Sequence, residues 1–188
     1  MEKFSTLNSQ VIPLNIDNVD TDMIIPAEHL KSISKEGYGQ HLFSALRALY
    51  PDFIFNQQPY QNRQILLSKT NFGCGSSREH AVWAIVQYGI KAVVCSSFSD
   101  IFFNNAAKNG LLLITLPEVV INNWIDLALK DTTLTMTVDL IKQKVNFAHQ
   151  EHNFNYDPYR KHCLLEGLDD LTYLLACNKE ITQYEQQH

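Results

Sequence analysis

The sequence predicts an α/β fold with a mixed sheet, and three observations carry that expectation. Between residues 65 and 115, short apolar runs alternate with stretches whose apolar residues recur at helical spacing. Strand-helix-strand units of this kind imply parallel pairing, because a parallel neighbour is reached only through a crossover connection. Further on, residues 133–138 and 142–147 read as two strands of a hairpin, which adds an antiparallel edge. Finally, 188 residues with 45% apolar and 11% aromatic side chains suffice for one sizeable core, so residues 1–188 are expected to form a single domain.

In chain order, residues 11–16 form the expected first strand, and 18–22 a polar loop carrying Asp20, Thr21 and Asp22. Residues 34–63 are the least regular stretch, with Gly37, Gly39, Pro51, Pro59 and the polar run NQQPYQNRQ, interrupted by a helix over 41–49. So long a connection inside a compact domain is expected as a mobile lid or binding loop, with an ordinary surface excursion as the alternative. After it come a strand over Ile65–Ser68, a helix over 78–88 ended by Gly89, and a buried strand over Ala92–Cys95. A helix over 102–108 stops at Asn109-Gly110, and 111–115 is the next strand. Pro117 opens a helix that runs to Leu129, the hairpin follows, and the tail from 168 to 184 reads as mostly helical.

The most informative run is NFGCGSSREHA at 71–81, where a glycine-rich turn leads into a helix marked by Ala81, Val82, Ile85 and Val86. Gly73 and Gly75 lack a Cβ, so the backbone there can turn left-handed and approach a bound carboxylate closely. Helix N-terminal amides, the positive end of the helix dipole, Ser76, Ser77 and Arg78 then converge on one point, which makes a site for an anionic substrate. A plainer reading stands beside it. Ser76-Ser77-Arg78-Glu79 also fits a capping box, in which a serine caps an amide and the glutamate reaches back. Arg78 favours the site, since a cation in the first turn opposes the helix dipole while its planar fork suits a carboxylate. A local rule broken without structural gain points to function.

Charge and cysteine usage narrow the function classes. A formal net charge of -5 speaks against a general nucleic-acid or anionic-membrane binder, since those need a basic surface. No run approaches the ~20 apolar residues of a membrane span, and MEKFSTLNSQ lacks the apolar core of a signal peptide, so the expected compartment is the cytoplasm. Cys74, Cys95, Cys163 and Cys177 are scattered without a short ligand spacing, so no metal site is expected in this chain. Cys95 and Cys177 read as small buried hydrophobes. Cys74 lies between the two glycines, where Arg78 and a helix terminus could lower a thiol pKa, though the sequence suggests no general base beside it.

Glycine, spacer, glycine, then Ser-Ser-Arg-Glu-His-Ala resembles the signature of the swivel domain of the aconitase superfamily. Three more segments agree in order: NVDTDMIIP at 18–26, SSFSDIFFNNAAKNGLLL at 96–113 and DPYRKHCLLEGLDD at 157–170. Within the superfamily the chain is most similar to the small subunits of bacterial isopropylmalate dehydratases. The resemblance implies a swivelling three-layer β/β/α domain and a hydro-lyase that isomerises a branched malate by dehydration and rehydration. It implies Ser76 as the proton-abstracting base, as alkoxide, with Ser77 and Arg78 binding a substrate carboxylate. Asp22 is then the group that holds Arg78 or a neighbouring hydroxyl, against the alternative of an Asx turn.

On the same resemblance, Gly73, Cys74, Gly75 and Thr21 line the substrate site, and His29, Leu30 and Lys31 help select the substrate side chain. His80 is expected to be structural. The family's [4Fe-4S] cluster needs three cysteines grouped in a way this chain lacks, so it is expected in a large-subunit partner, with no cofactor in this chain. The implied ligand is a small dicarboxylate. Related hydro-lyases acting on methylmalate, citraconate or homoaconitate, and a non-catalytic anion-binding module, are the alternatives.

Overall fold

The computed structural model describes residues 1–31, 35–76, 78–176, 178, 182, 184 and 186. Its elements run in the order β1 (Thr6–Leu14), α1 (Thr21–Ile24), α2 (Ser44–Leu49), β2 (Ile65–Ser68), α3 (Glu79–Tyr88), β3 (Ala92–Cys95), α4 (Asp100–Lys108) and β4 (Leu112–Thr115). There follow α5 (Glu118–Lys130), β5 (Thr135–Asp139), β6 (Lys144–Phe147), β7 (Gln150–Asn153), α6 (Pro158–Glu166) and α7 (Asp170–Ala176). The strands form one sheet in the order β4-β3-β2-β1-β5-β6-β7.

β1 joins two halves of that sheet. Residues 11–14 pair in parallel with β2, whereas residues 6–10 pair antiparallel with β5. β2, β3 and β4 are parallel neighbours, and β5, β6 and β7 antiparallel ones, so the sheet is mixed as expected. Strands buried on both faces read as continuous apolar runs, which is why the parallel half was visible in the sequence. Successive side chains leave opposite faces. Ile12, Leu14, Leu66, Val93 and Leu113 enter a core with Ala81, Val82 and Ile85 of α3 and Phe102 of α4. Val11, Ile65, Leu67, Val94 and Ile114 enter a second core with Trp124 and Ile125 of α5 and with Met136, Val138, Val145 and Phe147 of the antiparallel half. The parallel strands therefore lie between α3 and α4 on one face and the antiparallel strands on the other, in a β/β/α arrangement in which α5 shares the core between the two groups of strands.

Several boundaries differ from expectation, each for a physical reason. β1 begins at Thr6 and not at residue 11, because its polar first half is held by backbone pairing with β5. The polar 18–22 loop runs into the single turn α1, whose N-cap is Asp20: its Oδ1 accepts from Met23 N at 2.7 Å. Instead of one helix over 41–49 there is a 3-10 turn at Gly39–His41 and then α2, separated by Phe43 at φ +51. Within residues 35–63, Phe43, Phe53 and Phe55 pack with ring centroids 4.8 to 5.8 Å apart, and Phe55 meets Tyr88 of α3 at 5.4 Å.

The hairpin is extended by a third strand, β7, and Asp157 caps α6 by accepting from Arg160 N at 2.9 Å. Of the helical tail, α7 is seen at Asp170–Ala176, and Cys177 lies outside the described residues.

Candidate functional site

In an open sheet, the loops at the carboxyl ends of parallel strands are where ligands bind. Here the loops after β1, β2 and β3 lie side by side, joined by isolated bridges between Asp20 and Cys74 and between Phe72 and Phe98. Backbone bonds stitch them: Gly73 N donates to Val19 O at 2.7 Å, Thr21 N to Cys74 O at 2.9 Å, and Phe72 N to Ser97 O at 3.0 Å. The glycine-rich run is thus the middle of three tied loops and not a free turn.

The two glycines serve different needs. Gly73 has φ +74 and a Cβ there would lie 2.2 Å from Phe102 Cγ, so the position needs both the left-handed backbone and the missing side chain. Gly75 has φ +90 with no atom closer than 3.5 Å to such a Cβ, so it needs the conformation alone. Gly75 and Ser76 are exposed, and their amides find no acceptor among the described residues. The Ser76 hydroxyl likewise has no hydrogen-bond partner among them.

That geometry corrects the capping-box reading. α3 starts at Glu79, with Arg78 at the N-cap in extended conformation (φ -126, ψ 112) and no side-chain cap. Glu79 does not reach back: its Oε1 accepts from Asn109 Nδ2 at 2.8 Å. Arg78 therefore sits one residue before the first turn, at the positive end of the helix. Its Nη1 donates to Asp22 Oδ1 in an ion pair, and its remaining donors have no acceptor among the described residues. The Asp22 side chain is 56% exposed. The Arg78 side chain is 19% exposed, so the pair has one half-buried partner and one solvated one, and solvent around the carboxylate keeps its contribution to folding on the order of 1 kcal/mol.

The thiol expectation is also corrected. Partial burial, then the Asp20 carboxylate, push the Cys74 pKa up, so the group is a neutral thiol at neutral pH. Thr21 is only 2% exposed, and its Oγ1 donates to Ser76 O at 3.0 Å. Ser77 lies outside the described residues, as does the side chain of Lys31. His29 and Leu30 do not line the cleft at the glycine loop. His29 stacks on His41 with centroids 3.8 Å apart, and Leu30 packs against the first core. His80 packs on Trp83 at 4.7 Å and edge-on to Tyr38 at 5.2 Å, which is a structural placement.

The cleft is completed by residues that the sequence did not single out: Ser99, Ile101, Phe102 and Asn105 of the loop after β3 and of α4. Ser99 immediately before Asp100 and an apolar helix is a cap signature that could have marked this end of α4. The cleft's volume is only about 10 Å³, roughly room for one water molecule. A hollow of about 1000 Å³ lies elsewhere, between α4, α6 and α7, and holds none of the expected site residues. The chemistry-bearing side chains favour the small cleft, whose open side leaves a further wall to be supplied.

Comparison with known proteins agrees on one family. The aconitase C-terminal domain family matches residues 1–119. The 3-isopropylmalate dehydratase small subunit of Francisella philomiragia is 53% identical over 186 residues, covering 99% of this chain and 98% of that protein. Its counterpart in Rhodospirillum centenum is 49% identical over 191 residues, covering 98% and 94%. Among solved structures, the 3-isopropylmalate dehydratase of Methanocaldococcus jannaschii superposes with a TM-score of 0.68 at 25% identity, covering 96% of this chain and 99% of that one.

Proposed function

We infer the function from one premise: the chain belongs to the aconitase C-terminal domain family, among the small subunits of 3-isopropylmalate dehydratase. It is one half of a two-subunit hydro-lyase of leucine biosynthesis in the cytoplasm. The complete enzyme interconverts 2-isopropylmalate and 3-isopropylmalate through isopropylmaleate. The observation that carries this reading is a cleft with an exposed serine and an arginine fork, far too small to enclose a dicarboxylate by itself.

Dehydration begins with removal of a weakly acidic C–H proton beside a carboxylate, and that requires a base. We assign Ser76. A serine hydroxyl is a very weak acid, so its anion must find donors already in place, and the outward amides of Gly75 and Ser76 lie on the same loop at the positive end of α3. Arg78, with Ser77, takes a substrate carboxylate through the donors that Asp22 leaves unused. Asp22 fixes the direction of the fork. The turn after α1, with His29, Leu30 and Lys31, is where we place selection of the substrate's alkyl group.

The departing hydroxyl also needs a Lewis acid. Cys74 lies on the glycine loop, Cys95 in β3 and Cys163 in α6, and no three His, Cys, Asp or Glu side chains converge among the described residues. These residues do not fit a [4Fe-4S] cluster, and we place that group in the large-subunit partner. No helix among the described residues is long and apolar enough to cross a membrane.

Purified alone, the chain is expected to show no turnover of 3-isopropylmalate and to gain it on mixing with a cluster-loaded large subunit. Turnover by the isolated chain overturns the two-subunit reading.

A further inference from the structure

We propose that Thr21 and Ser99 are positioning residues that clamp the 73–76 loop from two sides and so aim its outward amides and Ser76 at the substrate. The proposal rests on the assignment of Ser76 as the base. Thr21 holds two carbonyls of the loop: its amide donates to Cys74 O at 2.9 Å and its hydroxyl to Ser76 O at 3.0 Å. Ser99 holds a third, donating from Oγ to Gly73 O at 2.6 Å.

Peptide planarity turns these contacts into aim. In a trans peptide the N–H points opposite to the C=O of the same plane, and the chain has no cis bonds among the described residues. With the Cys74 carbonyl drawn toward Thr21, the Gly75 N–H faces away from it, on an exposed residue with no acceptor of its own. Drawing in the Ser76 carbonyl anchors the main chain under a side chain that touches no hydrogen-bond partner. That contact is the one hydrogen bond to Ser76 among the described residues.

Thr21 is also an odd choice for filling space. It is 2% exposed, and valine would occupy the same volume without a hydroxyl to satisfy. Its hydroxyl reaches a carbonyl 55 positions away, on the loop that carries the base. Ser99 combines two roles, since the Oγ that donates to Gly73 also caps α4 by accepting from Phe102 N at 3.4 Å. Through it the loop is referenced to α4, and through Thr21 to α1.

The test uses the enzyme reconstituted with its large subunit. Thr21→Val removes one hydroxyl at constant shape and is expected to lower kcat about 10- to 100-fold, as displacement of a reacting group by an ångström does. KM should change by less than about threefold, because the substrate contacts of Arg78 remain. Thr21→Ser, which keeps the donor, should recover most of the loss. Ser99→Ala probes the other side of the clamp with the same expected split, and its kinetics decide the question if circular dichroism shows Thr21→Val to be unfolded. Ser76→Ala is run alongside. If it retains activity, the assignment of the base fails. If it abolishes activity while folded Thr21→Val, or Ser99→Ala, turns over within about twofold of the parent, or Thr21→Ser fails to recover activity, the clamp is refuted.

Discussion

Replacing Gly73 by alanine tests whether the glycine loop is shaped by its contact with α4. Two costs apply. At φ +74 an L-residue pays for a left-handed backbone, roughly 1–2 kcal/mol. The added Cβ would lie 2.2 Å from Phe102 Cγ, 2.6 Å from its Cδ2 and 2.7 Å from its Cβ. These atoms are near the main chain of α4 and cannot swing aside, and Phe102 is 2% exposed with Phe72 packed on it at 5.4 Å. Overpacking of that kind costs about 1–3 kcal/mol, so the total comes to about 2–5 kcal/mol. For a chain of this length each kcal/mol moves Tm by about 2–4 °C, which gives a fall of roughly 4–20 °C. Gly75→Ala is the control: it has φ +90, and the nearest atoms to a Cβ are Asp20 Cβ at 3.5 Å and Thr21 Oγ1 at 3.6 Å. Only the conformational cost remains, and Tm should fall by about 2–8 °C. Thermal melts followed by circular dichroism decide it. A Gly73→Ala variant that melts no lower than Gly75→Ala would refute the close contact between loop and helix.

Two further outcomes are expected. Arg78→Lys keeps the charge but loses the planar fork; losing charge-assisted bonds worth about 1.5–3 kcal/mol lowers kcat/KM for isopropylmalate roughly 10- to 100-fold. Melting should barely change, and an unaltered kcat/KM would remove Arg78 as the carboxylate anchor. Tyr156 carries a buried hydroxyl with no hydrogen-bond partner among the described residues, and burial pushes its pKa well above the ordinary value. The unfolded phenol ionises at about pH 10 and the folded one only at higher pH, so its contribution is intact below that pH and is lost progressively as pH rises from there toward the raised folded pKa. Tyr156→Phe should therefore match or exceed the parent in urea midpoint at neutral pH and lose less stability above about pH 10; identical alkaline slopes would contradict the buried phenol.

The parallel half of the sheet was legible because burial on both faces leaves uninterrupted apolar runs, as in Ile65–Ser68 and Ala92–Cys95. β7 was not, since Gln150–Asn153 is QEHN: polar, largely exposed, and held by backbone pairing with β6 at the sheet edge. α1 is too short for any periodicity, although Asp20 before it is a recognisable cap. Within the site, the glycine spacing and the Ser-Ser-Arg run were visible because they are contiguous. The tie from Ser99 to Gly73 was not, because it joins positions 26 apart and exists only once β3 lies beside β2. The capping box misled for a related reason: Glu79 finds Asn109 across the fold at 2.8 Å, a partner that local pattern does not reveal.

These placements divide the site into two layers with different physical duties. Beneath lie Gly73, Thr21 and Phe102, all buried, whose contacts set the loop's shape. Above lie Gly75, Ser76 and the Arg78–Asp22 pair at the open face, where the serine and the carboxylate meet solvent and a pair screened in this way adds on the order of 1 kcal/mol to folding. A charge pair and an exposed hydroxyl so placed gain strength only when water is excluded, since the same interactions are several times stronger at low dielectric. A cleft of about 10 Å³ cannot exclude water from a molecule bearing two carboxylates. On the proposed function, closure against the large subunit therefore does more than bring in the missing Lewis acid: it turns a weakly interacting surface constellation into a working one, with the buried layer keeping the donors aimed while that happens.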